Sequence, residues 1–131
     1  MTVYSRVGVS LCLLAVLIPA LPSTVQATVL PDLIIEDVRI DASNPSLLHV
    51  KVANIGLLAA THTQLSLLIE REGVTTSTTI TTPMLKTGAR QWLVVALGMR
   101  PLRTDRIILR IDDPDRLEES DETNNLYVYP E

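Results

Sequence analysis

Phenylalanine is absent from this 131-residue chain, and Trp92 and three tyrosines are its only aromatic residues. Any packed interior must therefore be aliphatic. Trp92 reads as a core or sheet-face residue rather than a ligand platform. Cysteine is almost as scarce: Cys12 stands alone. A single thiol excludes an intrachain disulfide and a multi-thiolate metal site. Positive charge is in deficit, with 11 Lys and Arg against 15 Asp and Glu, which argues against nucleic acid and anionic membrane surfaces as partners. Beyond residue 28 the 3.6-residue apolar period of a packed helix is nearly missing as well.

What is present begins with MTVYSRVGVSLCLLAVLIPALPSTVQA, which contains Arg6 and no acid. A mostly apolar run from Val7 to Leu21 follows, and the segment ends on small residues at Val25 and Ala27. This is the three-part layout of a secretory signal peptide, residues 1–27, with cleavage expected after Ala27. The run is interrupted by Pro19 and is short for a bilayer span of roughly 20 residues, so no membrane span is expected after cleavage. An uncleaved anchor is the alternative. Cys12 follows Leu11 rather than a small residue, which speaks against lipidation. Cleavage would leave residues 28–131, a cysteine-free chain of one-domain size. Export without disulfides points to a bacterial envelope protein, periplasmic or extracellular.

Period-two alternation dominates the remainder. Strands are expected at Leu33–Ile40, Leu48–Asn54, His62–Glu70, Val74–Thr82, Ala89–Leu97, Asp105–Asp112 and Leu126–Tyr129. Leu48, Val50 and Val52 share one face, as do Leu65, Leu67 and Ile69, and Ile107, Leu109 and Ile111. Arg71-Glu72-Gly73 reads as a hairpin turn. The Thr-rich run from Val74 favours extended backbone but lacks large apolar residues, which marks an edge or near-edge strand. ARQWLVVAL is nearly continuously apolar and is expected at the centre of a sheet. Seven short strands without helices predict an all-β antiparallel sandwich of immunoglobulin-like type.

Between the last two strands lies DDPDRLEESDETNN. Seven carboxylates fall within the eleven positions Asp112 to Glu122. Asp113 is placed to accept from amides two and three residues on, and Pro114 to occupy a position that needs no N–H. Leu117 is expected to plug the end of the core. Glu119, Glu122, Asn124 and Asn125 are expected to bond backbone groups left open where strands end. Arg100, Arg103, Arg106, Arg110 and Arg116 are near enough in sequence to neutralise part of the charge.

Three features then occur in order: PDLIIEDVRI, HVKVANIGLLAA and IDDPDRLEESDETNNLYV. Together they resemble the CARDB family, the cell-adhesion-related domain found in bacteria, over about Pro31 to Tyr129. The resemblance implies a seven-stranded immunoglobulin-like sandwich, exported, that serves as an interaction or spacer module. It also implies a structural signature carried by Asn54, Gly56, Glu119, Glu122, Asn124 and Asn125. Members usually accompany other domains, and this sequence shows no companion.

Competing readings follow from the same residues. Calcium takes 6 to 8 oxygen ligands, and Asp112, Asp113, Asp115 and Glu122 are the candidate set for a calcium-dependent module. The spacing departs from an EF-hand loop: the glycine is missing, and Leu117 and Arg116 intrude. A hydrolase using paired carboxylates needs one raised pKa in a shielded pocket, and so polar a loop offers no shield. His49 and His62 fall on different strands, which disfavours a two-histidine metal site. No enzyme and no cofactor other than calcium are expected. The expected partner is a protein or polysaccharide of the cell envelope. Edge-strand pairing through 74–82 is one route, because that strand carries neither charge nor proline between its ends.

Overall fold

The computed structural model describes residues 15–20 and 28–130, so the expected signal peptide lies for the most part outside the described residues. Among the described residues no helix is long and apolar enough to cross a membrane. The described residues form seven strands: β1 (Leu33–Ile40), β2 (Leu47–Asn54), β3 (Gln64–Arg71), β4 (Val74–Thr81), β5 (Arg90–Ala96), β6 (Arg106–Ile111) and β7 (Leu126–Tyr129). They pair entirely antiparallel in two sheets, β1-β2-β5 and β4-β3-β6-β7. The expected all-β sandwich is the observed fold.

The alternating aliphatics meet between the sheets, as period-two burial requires. Leu48, Val50 and Val52 from one sheet and Leu65, Leu67, Leu109 and Ile111 from the other are at most 1% exposed. Tyr127, Tyr129 and Leu117 pack on this aliphatic cluster from its margins, so Leu117 does close one end of the core. The β3–β4 hairpin turns through Glu72 and Gly73 at φ 49° and 78°. Two successive positive φ values match the right-handed strand twist, and Gly73 adopts its value without a Cβ penalty.

One expectation is overturned. The nearly continuous apolar strand β5 is not central; it is the outer strand of the three-stranded sheet, paired only to β2. Leu93 and Val95 face the core, while Trp92 and Val94 face solvent at 41% and 53% exposure. The second apolar row that suggested double burial is an exposed outer face. The Arg39 guanidinium carbon lies 5.1 Å from the centroid of the Trp92 ring. β4 is an outer strand, as its threonines suggested.

Antiparallel alternation brings the start of β1, the end of β2, the start of β5, the end of β6 and the start of β7 to one end of the sandwich. Segments 55–63, 82–89 and 112–125 gather there.

Candidate functional site

The buried polar residues concentrate at that end. Asn54 is fully buried at the last position of β2. Its Oδ1 accepts from the amides of Asp32 (3.1 Å) and Gly56 (3.0 Å), and its Nδ2 donates to the carbonyls of Leu58 (2.8 Å) and Leu85 (3.0 Å). One side chain thus saturates four backbone groups from three segments, a complete use of the amide's bonding capacity on these partners. Gly56 lets segment 55–58 lie against the chain leading into β1. A Cβ there would stand 2.4 Å from the Asp32 nitrogen and 2.5 Å from the Leu30 oxygen. Ile55 and Leu57 donate to the carbonyls of Asp32 and Leu30 across this contact.

The acidic loop closes the same end from the other sheet. Glu119, 5% exposed, accepts from the Leu33 amide at 2.5 Å and from Asn125 Nδ2 at 2.6 Å. Its own amide donates to Glu122 Oε1 at 2.7 Å. Asn124 Nδ2 donates to Asp32 Oδ1 at 2.8 Å, and Ser120 donates its hydroxyl to Asp32 Oδ2 and its amide to the Pro31 carbonyl. The loop after β6 is thereby fastened to the start of β1, and the two sheets are joined by side chains where no ladder can reach. The side-chain oxygens of Asn124 and Asn125 are buried and accept no hydrogen bond from the described residues. Burial pushes the Glu119 carboxyl up to about 7, against the Leu33 amide and Asn125, and Asp112 and Glu122 push it in the same direction as burial.

Asp112 is 2% exposed and sits at φ 56°. Aspartate tolerates this left-handed backbone better than most residues. One carboxylate oxygen accepts from the Thr63 hydroxyl, and the other accepts from the amides of Arg116 (3.1 Å) and Leu117 (2.9 Å). The loop-capping role expected of Asp113 therefore belongs to Asp112. Asp113 instead accepts from the Ser66 hydroxyl at 2.5 Å. The loop is built of bends and turns. Of Arg100, Arg103, Arg106, Arg110 and Arg116, expected to neutralise part of the charge, none forms an ion pair with the loop. Among the described residues, no ion pair involves a carboxylate between Asp112 and Glu122. Hydrogen bonds from amides and hydroxyls take that role.

Of the four candidate calcium ligands, Asp112, Asp115 and Glu122 line one cavity of about 240 Å³, together with Asn125 and Arg110. Asp113 is not among its lining residues. Among the described residues no three Asp, Glu, His or Cys side chains converge at metal-binding distance. The histidines stay apart in function: His49 Nε2 meets Asp41 Oδ2 at 2.8 Å, and His62 Nδ1 meets the Thr82 carbonyl at 3.1 Å. At the opposite end Arg71 clamps Asp105 through Nε at 2.9 Å and Nη2 at 2.6 Å. That contact and the Leu102 amide hold the Asp105 carboxyl low, at about 2.

Asp32, Thr63 and Ser66 complete the polar end without having been assigned roles from sequence. The Pro-Asp-Leu opening of β1 was a usable signal for Asp32; nothing local marks the other two.

Comparison with known proteins places this arrangement. The chain is similar in structure to the CARDB domain of a Pyrococcus furiosus protein, whose crystal structure is of a complex with di-metal ions. The two share 20% identity over 78% of this chain and 92% of that one, with a TM-score of 0.58. A likeness at that identity establishes the shared fold. A search of curated proteins finds no match. CARDB is a non-catalytic domain family, and its family model matches residues 30–128, a span that takes in β1 to β6, all but the last residue of β7, and every residue of the polar end described above. The chain therefore belongs to the CARDB family.

Proposed function

We propose that this protein is an exported, non-enzymatic binding module of the bacterial cell envelope, working in the periplasm or outside the cell. In this reading it holds or contacts a protein or a polysaccharide. The carrying observation is how the buried polar groups at the loop end are used. Glu119, the buried carboxyl with the raised pKa, has one oxygen on a backbone amide and the other on Asn125. It is not among the residues lining the neighbouring cavity. A perturbed carboxyl marks a reactive centre only when a substrate can reach it. Here the perturbation accompanies a structural tie. What remains for function is the surface, including unblunted strand edges such as β4 within 74–82.

The test is binding of the purified full chain to isolated envelope that has been pretreated with protease, with glycan-degrading enzymes, or with neither. Retention on untreated envelope, lost after one treatment, identifies the partner class. No retention on any preparation overturns the binding reading. Cell fractionation tests export: a full-length chain confined to the cytoplasm would overturn it.

Calcium dependence is the second reading. It is favoured by the approach of Asp115, Glu122 and Asn125 to one cavity, and by the di-metal complex of the Pyrococcus furiosus domain. Because Asp112 already accepts three hydrogen bonds, ligation would fall mainly on the other three. Calorimetric titration with Ca²⁺ separates the readings. Heat and a raised melting temperature at millimolar Ca²⁺ support the second, and neither signal at that concentration removes it.

A further inference from the structure

The two flanks of the sandwich are built differently. On one side the outer strands are β1 and β7. β1 is broken by a bulge between Ile35 and Asp37 and carries Glu36, Asp37 and Arg39. β7 is four residues long and is followed by Pro130. Bulges, charge, shortness and proline are the devices that keep a sheet edge from accepting another strand. The opposite flank has β5 and β4, and neither shows such a device between its ends.

That flank is also one strand short. β1 packs on β6 and β7, so the three-stranded sheet runs out before it covers β4. In register with the buried Leu65, Leu67 and Ile69 of β3, the β4 residues Ile80, Thr78 and Thr76 point to the sandwich interior. They are only half-buried, and Val74 in the same row is 66% exposed. A hollow of about 280 Å³ between Ile69, Val74, Thr76 and Met99 lies against this row.

The hydrogen-bond alternation of β5 is fixed by its two flanking bonds, Asn54 N–H to Ala89 C=O and Leu97 N–H to Ser46 C=O. By antiparallel alternation Gln91, Leu93 and Val95 bond β2, and the N–H and C=O groups of Trp92, Val94 and Ala96 point to the free side. A row of peptide groups at that repeat is matched by one kind of ligand, another extended polypeptide.

We infer that the free edge of β5 accepts an extended segment of a partner protein as a fourth strand, with the inward face of β4 as its floor. The inference rests on the binding-module reading and gives the partner a chemistry. Residues of the added strand that face β4 would be small or β-branched, to pack on Val74, Thr76, Thr78 and Ile80. Those on the other face would lie beside Trp92 and Val94, where aromatic and β-branched side chains pair well. A strand added to β4 instead would have no opposing strand and would bury little. A second copy is a poor occupant: β4 projects past β5, so two-fold pairing of β5 strands would drive the β4 strands together.

The probe is a peptide selected on the full chain from a random linear library. Val94→Pro removes a free-side N–H without touching the β2 ladder, and Thr79→Pro does the same on the free side of β4. The expected result is a selected peptide whose affinity falls about tenfold or more with Val94→Pro and stays within about twofold with Thr79→Pro. Amide exchange on the unsubstituted chain should slow at Trp92, Val94 and Ala96 when the peptide binds, a readout that stands even if the Val94 variant fails to fold. Any one of these results overturns the inference: no peptide selected, sensitivity to Thr79→Pro instead, unchanged exchange at the three amides, or self-association abolished by Val94→Pro. Envelope binding that persists with both proline variants and is lost only to glycan-degrading enzymes would leave the module reading intact and this one refuted.

Discussion

A single side chain can hold more of a fold than its size suggests when all its bonding capacity is used inside the protein. Asn54 is such a residue. Replacing it by alanine would strand the amides of Asp32 and Gly56 and the Leu58 carbonyl, and would leave the Leu85 carbonyl with the Ala60 amide alone. Each buried unsatisfied group costs about 1–3 kcal/mol, though local relaxation shares the loss. Asn54→Ala is expected to lower the unfolding free energy by about 3 kcal/mol or more in denaturant titration. Asn125→Ala removes one bond to Glu119 and is expected to cost about 1–3 kcal/mol. Asp121 bonds only Thr123 on the exposed rim, so Asp121→Ala should fall within about 0.5 kcal/mol of the parent. Gly56→Ala acts through space rather than hydrogen bonding. A Cβ 2.4 Å from the Asp32 nitrogen forces two backbone segments apart, at an expected cost of about 1–3 kcal/mol or more. Equal, small effects at Asn54, Asn125 and Asp121 would contradict the role of the polar end as a tie between the sheets.

Strands contribute according to what lies opposite them. Leu109 in β6 is fully buried between the sheets, so Leu109→Ala should cost about 2–5 kcal/mol. Ile80 in β4 faces the same interior but is only partly covered, and Ile80→Ala should cost less than half as much in the same denaturant series. If the two losses match, β4 is covered in solution and the uncapped flank is not real. The same difference explains what could be read from sequence. The strands Leu33–Ile40 and Leu126–Tyr129 were placed to the residue, and the inward rows of β2, β3 and β6 were legible, because a half-buried strand writes its burial as period two. The threonines of β4 likewise announced an edge. β5 misled because Trp92 and Val94 make its solvent face apolar, and periodicity cannot tell an exposed apolar row from a buried one. The acidic loop was legible as a capping segment through Glu119 and Glu122, which accept from backbone amides, whereas the paired asparagines, expected to bond backbone groups, donate instead to the carboxylates of Asp32 and Glu119. The exchange of roles between Asp112 and Asp113 was not, since it follows from a single left-handed residue that no pattern of types reveals. Nor do Thr63 and Ser66 carry a local mark; they matter only because β3 happens to start beside the loop.

At the scale of the molecule, the two ends of the sandwich respond to protons in opposite senses. At one end Glu119 has a carboxyl raised from 4.5 to about 7, chiefly by burial. A group that holds its proton more tightly when folded adds stability below its unfolded pKa. That contribution is lost as pH rises through the folded value. At the other end Asp105, lowered from 3.8 to about 2 by Arg71 and the Leu102 amide, behaves in reverse. Its contribution is present above the unfolded pKa and is lost as pH falls through the folded one. Asp41 at that same end, held low by the Asn44 amide, His49 and Ser43, acts in the same direction as Asp105, and so does Asp121, held low by Thr123 on the exposed rim of the Glu119 end. From these groups, stability is expected to be greatest between roughly pH 4 and 5 and to fall on both sides. Between pH 5 and 8 the decline traceable to Glu119 should be on the order of 1–3 kcal/mol, after allowance for relaxation around the ionised carboxylate. Glu119→Gln keeps an oxygen for the Leu33 amide and offers an N–H to the unbonded Asn125 oxygen if that amide turns over. The variant should therefore flatten the limb between pH 5 and 8 while leaving the acid limb, which depends on Asp105 and Asp41 at the far end and on Asp121 at the exposed rim, unchanged. Urea unfolding at closely spaced pH values reads both limbs at once. A variant whose neutral limb runs parallel to that of the parent would show that Glu119 does not carry the proton linkage. A variant that loses the acid limb as well would show that the two ends do not act independently.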